Sequence, residues 1–151
     1  MNSDFGKLGF IASDNIERQN QITEQKTEQA IEIRVNDKAL DERLAGIFIS
    51  SGIPPHIRGY QFLREAVKQA VKNPNMINSI TKQLYPAVAD KFSTSPSKVE
   101  RAIRHAIEVA WSRGKIENIN NIYGIRVLSK GEKPTNGELI ALLSDKMMLE
   151  M

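Results

Sequence analysis

Between Ser95 and Gly114 the chain carries an apolar pattern that only a helix can bury on one side. Val99, Ala102, Ile103, Ala106, Ile107 and Ala110 follow i, i+3, i+4, i+7, i+8 and i+11 without a gap. A strand would throw the same residues onto both faces. Both ends are marked. Ser95 precedes Pro96, an N-cap followed by proline at the first helical position, where a missing N–H leaves nothing unsatisfied, and Gly114 stops the pattern after Arg113. The opposite face reads Lys98, Arg101, Arg104, His105 and Glu108.

Other helices follow from the same period. Leu40, Leu44, Ile47 and Phe48 share a face in a helix that must stop before Gly52 and Pro54-Pro55. Residues 59–73 form a second, with Tyr60, Leu63, Ala66, Val67 and Ala70 inward and Arg64, Lys68 and Lys72 outward, ended by Pro74. Residues 76–84 predict a third and 86–92 a fourth, with Pro86 in its first turn. A short helical segment is expected near 116–122, and a last helix from Asn136 to about Leu149 behind the Lys133-Pro134 turn. The fold class is all-α, a compact bundle of about six helices. Trp111 is assigned to the core.

Residues 1–38 differ in character. They are rich in Gln, Glu, Asn and Thr, and isolated apolar residues such as Ile16 and Ile22 keep no sustained helical period. This part reads as a polar linker or tail, partly disordered, before a domain at 39–151. Ile31, Ile33 and Val35 alternate with Glu32 and Arg34 as in a short strand, and Ile125 and Val127 repeat that alternation, so the two segments are candidates to pair.

Charge follows the same division. Residues 1–38 hold 5 Lys/Arg against 7 Asp/Glu, and the rest hold 16 against 11. The basic excess therefore lies in the expected domain. It is densest between Lys91 and Lys115, where Lys91, Lys98, Arg101, Arg104, Arg113 and Lys115 face only Glu100 and Glu108, which suits a polyanionic partner. With no cysteine, disulfides, thiol chemistry and cysteine zinc sites are excluded, and with His56 and His105 far apart no metal or other cofactor is expected. No apolar run approaches the roughly 18 to 20 residues of a membrane span, and no signal-peptide pattern follows Met1, so the expectation is a cytoplasmic chain with no membrane partner. Paired carboxylates, a nucleophile elbow, a P-loop and metal-ligand spacing are all missing from the sequence, so no enzyme is expected.

Two short helices joined by about four residues fit the DNA major groove when the second presents its N-terminal turn to solvent. Here Val88, Ala89 and Phe92 belong to the first helix, and Val99 with Ala102 or Ile103 points inward from the second. Ser93 and Thr94 stand where the turn of such a motif has a glycine and an apolar residue. On pattern alone, a helix-turn-helix over 88–111 and an ordinary helical hairpin both fit. Outward residues favour the former. Arg101 and Arg104 share one face and offer the planar donor fork that matches guanine O6 and N7. Lys98, Ser95 and Ser97 lie at the helix start, where phosphates are held, and Glu100 is placed either to accept from cytosine N4 or to pair with Arg104 at i, i+4.

The runs VERAIRHAIEVAWSRG at 99–114, GYQFLREA at 59–66, SITKQLYP at 79–86 and KPTNGELIALLSDK at 133–146 closely resemble the C-terminal effector domain of the stage-zero sporulation response regulator, over roughly residues 39–151. The resemblance implies a six-helix DNA-binding fold that acts on promoters, on short sites often bound as tandem copies. By position it implies Glu100, Arg101 and Arg104 as base contacts, with Ser95, Ser97, Lys98 and His105 on the backbone or in support. It also implies a surface for the sigma subunit of RNA polymerase at 114–127, where Lys115, Glu117 and Asn121 are the candidates, and a last helix used for packing or homodimer contact. The family places a phosphorylated receiver in front of this domain, and 38 residues fall short of the roughly 100 that a doubly wound domain needs. The leading expectation is a sequence-specific transcription regulator binding double-stranded DNA. The alternative is a receiver-less interaction module that holds sigma or pairs with a full-length regulator.

Overall fold

A computed structural model describes residues 2–150, and the side chains of all of these except residues 2–12 and 33–35. It divides into two units, one up to Ala39 and one from Leu40 onward. The described residues form six α-helices and no strand: α1 (Asn2–Ser50), α2 (Arg58–Lys72), α3 (Tyr85–Lys91), α4 (Pro96–Ser112), α5 (Asn118–Tyr123) and α6 (Asn136–Glu150).

In the first unit the chain is helical where the sequence lacks an apolar period. From Phe10 to Ala39 no glycine or proline interrupts it, and Glu and Gln abound, so local propensity is met without a buried stripe among the described side chains. Ile16, Ile22 and Ile31 accordingly stand exposed. The strand expected at Ile31 to Val35 is not formed, because these residues lie inside α1, and Ile125 lies in the loop after α5. An alternation of three residues flanked by helix formers on both sides, with no turn residue to bound it, does not outweigh the surrounding helix. The side chains of Ile33 and Val35 lie outside the described residues.

The second unit is built around α2. Tyr60, Phe62, Leu63, Ala66, Val67 and Ala70 are buried there against α4 and α6, beside Leu44, Ile47 and Phe48 from the end of α1. Two charged residues of α2 go inward with them. Lys68, expected on the outer face, is buried with its Nζ 3.0 Å from Asp41. Glu65 is buried too and accepts hydrogen bonds from Lys91 Nζ at 2.8 Å and Gln69 Nε2 at 2.9 Å, which ties α2 to the end of α3.

Where a third α-helix was expected, the chain makes a 3₁₀ segment (Pro74–Ser79) and then a π segment (Ile80–Leu84). Ser79, with φ −146° and ψ 53°, separates them. The Tyr85 N–H reaches back to Ile80 O, five residues away, and the π segment runs directly into α3 with Pro86 in the first turn of that helix.

Candidate nucleic-acid interface

Helices α3 and α4 are joined by Phe92 to Ser95, and the turn is held by backbone geometry. Thr94 N–H bonds to Ala89 O at 3.0 Å and Ser93 N–H to Asp90 O at 3.5 Å, the paired hydrogen bonds of a Schellman ending. The same pair closes α1, from Ile53 to Phe48 and from Gly52 to Ile49, and α4, from Lys115 to Ala110 and from Gly114 to Trp111. In those two the left-handed position is glycine, with φ 84° at Gly52 and 69° at Gly114. In the turn between α3 and α4 it is Ser93, with φ 52°. The residue that departs from the usual turn composition thus adopts the conformation that the usual glycine supplies.

Ser95 caps α4: its Oγ accepts from Lys98 N–H at 3.3 Å and lies 3.3 Å from Ser97 Oγ. Val99, Ile103, Ala106, Ile107 and Ala110 are buried, as the period requires, and Ala102 is half-buried. Trp111, assigned to the core from sequence, is half-buried at its margin.

The outer face of α4 carries Ser97, Lys98, Arg101, Arg104 and His105, all exposed, while Ser95 and Glu100 are half-buried. These side chains are not equivalent. Arg104 Nε lies 3.6 Å from Glu100 Oε1, so the intrahelical pair is formed. Glu108 is taken by Lys133 at 2.9 Å, and that hydrogen bond holds its carboxyl below the usual carboxylate range. Arg101 and Lys98 form no ion pair among the described residues, which leaves two cations on the first half of the helix open to a polyanion.

Three residues outside the predicted set position this helix. Gly59 of α2 lies so close to α4 that its missing Cβ leaves room for the Ala102 carbonyl, and the two helices meet backbone to backbone there. Asn136, at the start of α6, donates through Nδ2 to Tyr85 Oη and to the Glu100 carbonyl, both at 3.1 Å, and so ties α6 to both helices of the motif. Burial raises the Tyr85 phenol above its ordinary pKa, against the effect of that hydrogen bond, so the hydroxyl stays neutral. Arg113 donates to the Gly52 carbonyl at 3.5 Å. None of these has a local sequence signal, since each partner is more than 30 residues away.

In the segment after α4, Lys115 and Asn121 are exposed and Glu117 is half-buried. Ile116 and Ile119 anchor it in the core. Asn118 Nδ2 donates to the Ser50 carbonyl at the end of α1 at 2.7 Å, and Asn120 Oδ1 accepts from the Val127 and Leu128 N–H groups at 2.8 and 2.9 Å. The loop therefore has a defined shape despite its polar composition.

A family model described as "Sporulation initiation factor Spo0A C terminal" matches residues 44–147, the span that holds α2 to α5 and nearly all of α6. All the helices that build the α3–turn–α4 surface fall inside the match. With its all-α fold and that span of matched residues, the chain belongs to the Spo0A C-terminal family of DNA-binding domains from sporulation regulators.

Proposed function

We propose that this domain recognises a specific duplex sequence by laying the first half of α4 in the major groove. The observation that carries the reading is the state of Arg101 and Lys98: exposed, unpaired among the described residues, and on a helix whose N-terminus projects from a rigid turn. Arg101 reads a guanine edge, and Arg104 does so by exchanging Glu100 for a base. Glu100 then either accepts from cytosine or stays as the positioning partner of Arg104. Lys98 and Ser97 hold phosphates, joined by Ser95 through the helix start and supported by His105. Two copies bind in tandem where sites repeat. Such a regulator works with the chromosome, in the cytoplasm.

The experiment is a salt titration with a duplex selected by the chain itself from random sequence and a scrambled duplex of equal length. Arg101→Ala is expected to lose about 1 to 3 kcal/mol on the selected duplex and to relax one base position. Lys98→Ala should weaken both duplexes and flatten the salt dependence. Equal affinity of the unaltered chain for the two duplexes would dispose of the reading.

A second surface is proposed at residues 114–127, for the sigma subunit of RNA polymerase. What favours it is the ordered backbone that Asn118 and Asn120 give to a segment presenting Lys115 and Asn121 to solvent, with Glu117 at its edge. Sigma capture that survives Arg101→Ala/Arg104→Ala and fails on Lys115→Ala/Glu117→Ala would support it. If that capture is all that the chain does, the interaction module is the better description.

A further inference from the structure

The sequence places the basic surface on α4, but a cation from another helix adjoins it. Arg58 opens α2, is exposed, and forms no ion pair among the described residues. Its position is determined twice. The next residue, Gly59, seats α2 on α4 at Ala102 and Ala106. On the surface of α4 the neighbours of Ala102 at i−4 and i+3 are Lys98 and His105, both exposed. The guanidinium itself lies over the Phe62 ring, 5.3 Å from its centroid. Phe62 is buried and meets Phe92, the first residue of the α3–α4 turn, edge to face at 5.2 Å. An aromatic pair under the turn thus carries the arginine at the flank of α4 and limits the freedom that an arginine side chain loses on binding.

We infer that Arg58 is a phosphate-contact residue of the DNA interface, gripping the duplex backbone beside the groove that α4 enters. This rests on the proposed reading of α4 and extends the interface to a second helix. A guanidinium fits this task because it stays charged, keeps its donor fork while stacked, and meets phosphate oxygens in bidentate fashion. Set at the flank of α4, it meets the sugar-phosphate backbone and not the base edges, so it adds affinity and orientation without base preference.

The test measures binding of the full chain to a scrambled duplex and to a duplex selected by the chain, from 50 to 200 mM salt. Each neutralised phosphate contributes about 0.9 to the slope of log affinity on log salt, so across a fourfold rise in salt one contact is worth roughly a 3-fold change. Arg58→Met, which retains a contact over Phe62 but no charge, should lower the slope by about one and weaken both duplexes by the same factor. Arg58→Lys should restore most of the slope. The inference fails if Arg58→Met leaves the slope unchanged, if the loss is confined to the selected duplex, or if Arg58→Met and Arg58→Lys lower affinity and melting temperature together. Failure of the α4 reading is distinguishable, because it removes the difference between the two duplexes in the unaltered chain and leaves the slope comparison on scrambled DNA intact.

Discussion

A Cβ placed on Gly59 would lie 2.1 Å from the carbonyl oxygen of Ala102 and 2.7 Å from the Cβ of Ala106. Those atoms belong to the middle of α4, so no side-chain rotation relieves the contact and one helix has to move. Gly59→Ala should therefore destabilise the domain by at least about 2 to 3 kcal/mol, as overpacking at a rigid site does. Because the displaced element is α4, affinity for selected and scrambled duplexes should fall together. Urea denaturation, with NMR amide shifts along residues 96–112, checks both parts; unchanged stability would mean that α2 and α4 are not packed this closely.

Ser93 predicts a change in the other direction. A non-glycine residue at φ 52° crowds its Cβ against its own backbone, whereas Gly52 and Gly114 meet the same demand without a Cβ. Ser93→Gly relieves that strain and adds some freedom to the unfolded chain, so a net gain of about 0.5 to 1 kcal/mol is expected, with DNA affinity unchanged. Ser93→Val should lose stability, since a β-branched residue tolerates this conformation least. Thermal melts of the two variants suffice.

The pair of Glu65 and Lys91 is asymmetric, with the carboxylate side chain 7% exposed and the ammonium side chain 52% exposed. Removing the lysine strands a buried charge held only by Gln69. Lys91→Ala should cost about 1 to 3 kcal/mol, and adding Glu65→Gln should return part of that loss by removing the stranded charge. A double-variant cycle by chemical denaturation gives the coupling, and strict additivity would show that the two residues act independently.

Tyr123 sets an alkaline limit. Burial, with lesser contributions from the carboxylates of Asp145 and Glu150, pushes its phenol up to about 12, while its hydroxyl donates to the Leu142 carbonyl. The folded state favours the neutral form. Its contribution is therefore complete below the unfolded pKa near 10 and is lost as pH rises towards about 12. Tyr123→Phe should lose about 1 kcal/mol at pH 8 with the hydrogen bond, and then fall less steeply than the parent between pH 10 and 12. Urea midpoints taken across that window decide it; parallel curves would rule out this tyrosine as the source.

The features legible along the chain are local and periodic. The limits and buried face of α4 follow from Ser95, Pro96, Gly114 and an unbroken apolar period, and most other helices of the second unit follow in the same way, because burial along a helix repeats every 3.6 residues. Exposure of Lys98, Arg101, Arg104 and His105 came from the same pattern read on its outer side. The rest depends on packing between distant segments. Lys68 and Glu65 look like surface charges until Asp41 and Lys91 are brought to them. Asn136 and Asn120 look like loop polarity until they meet backbone groups of other segments. The turn between α3 and α4, undecided from Ser93 and Thr94 alone, is set by hydrogen bonds back into α3 that hold Ser93 in the left-handed region. The arginine that adjoins α4 from α2 belongs to this second class. Its place depends on a glycine 43 residues before Ala102, and such a contact exists only once packing has closed the distance.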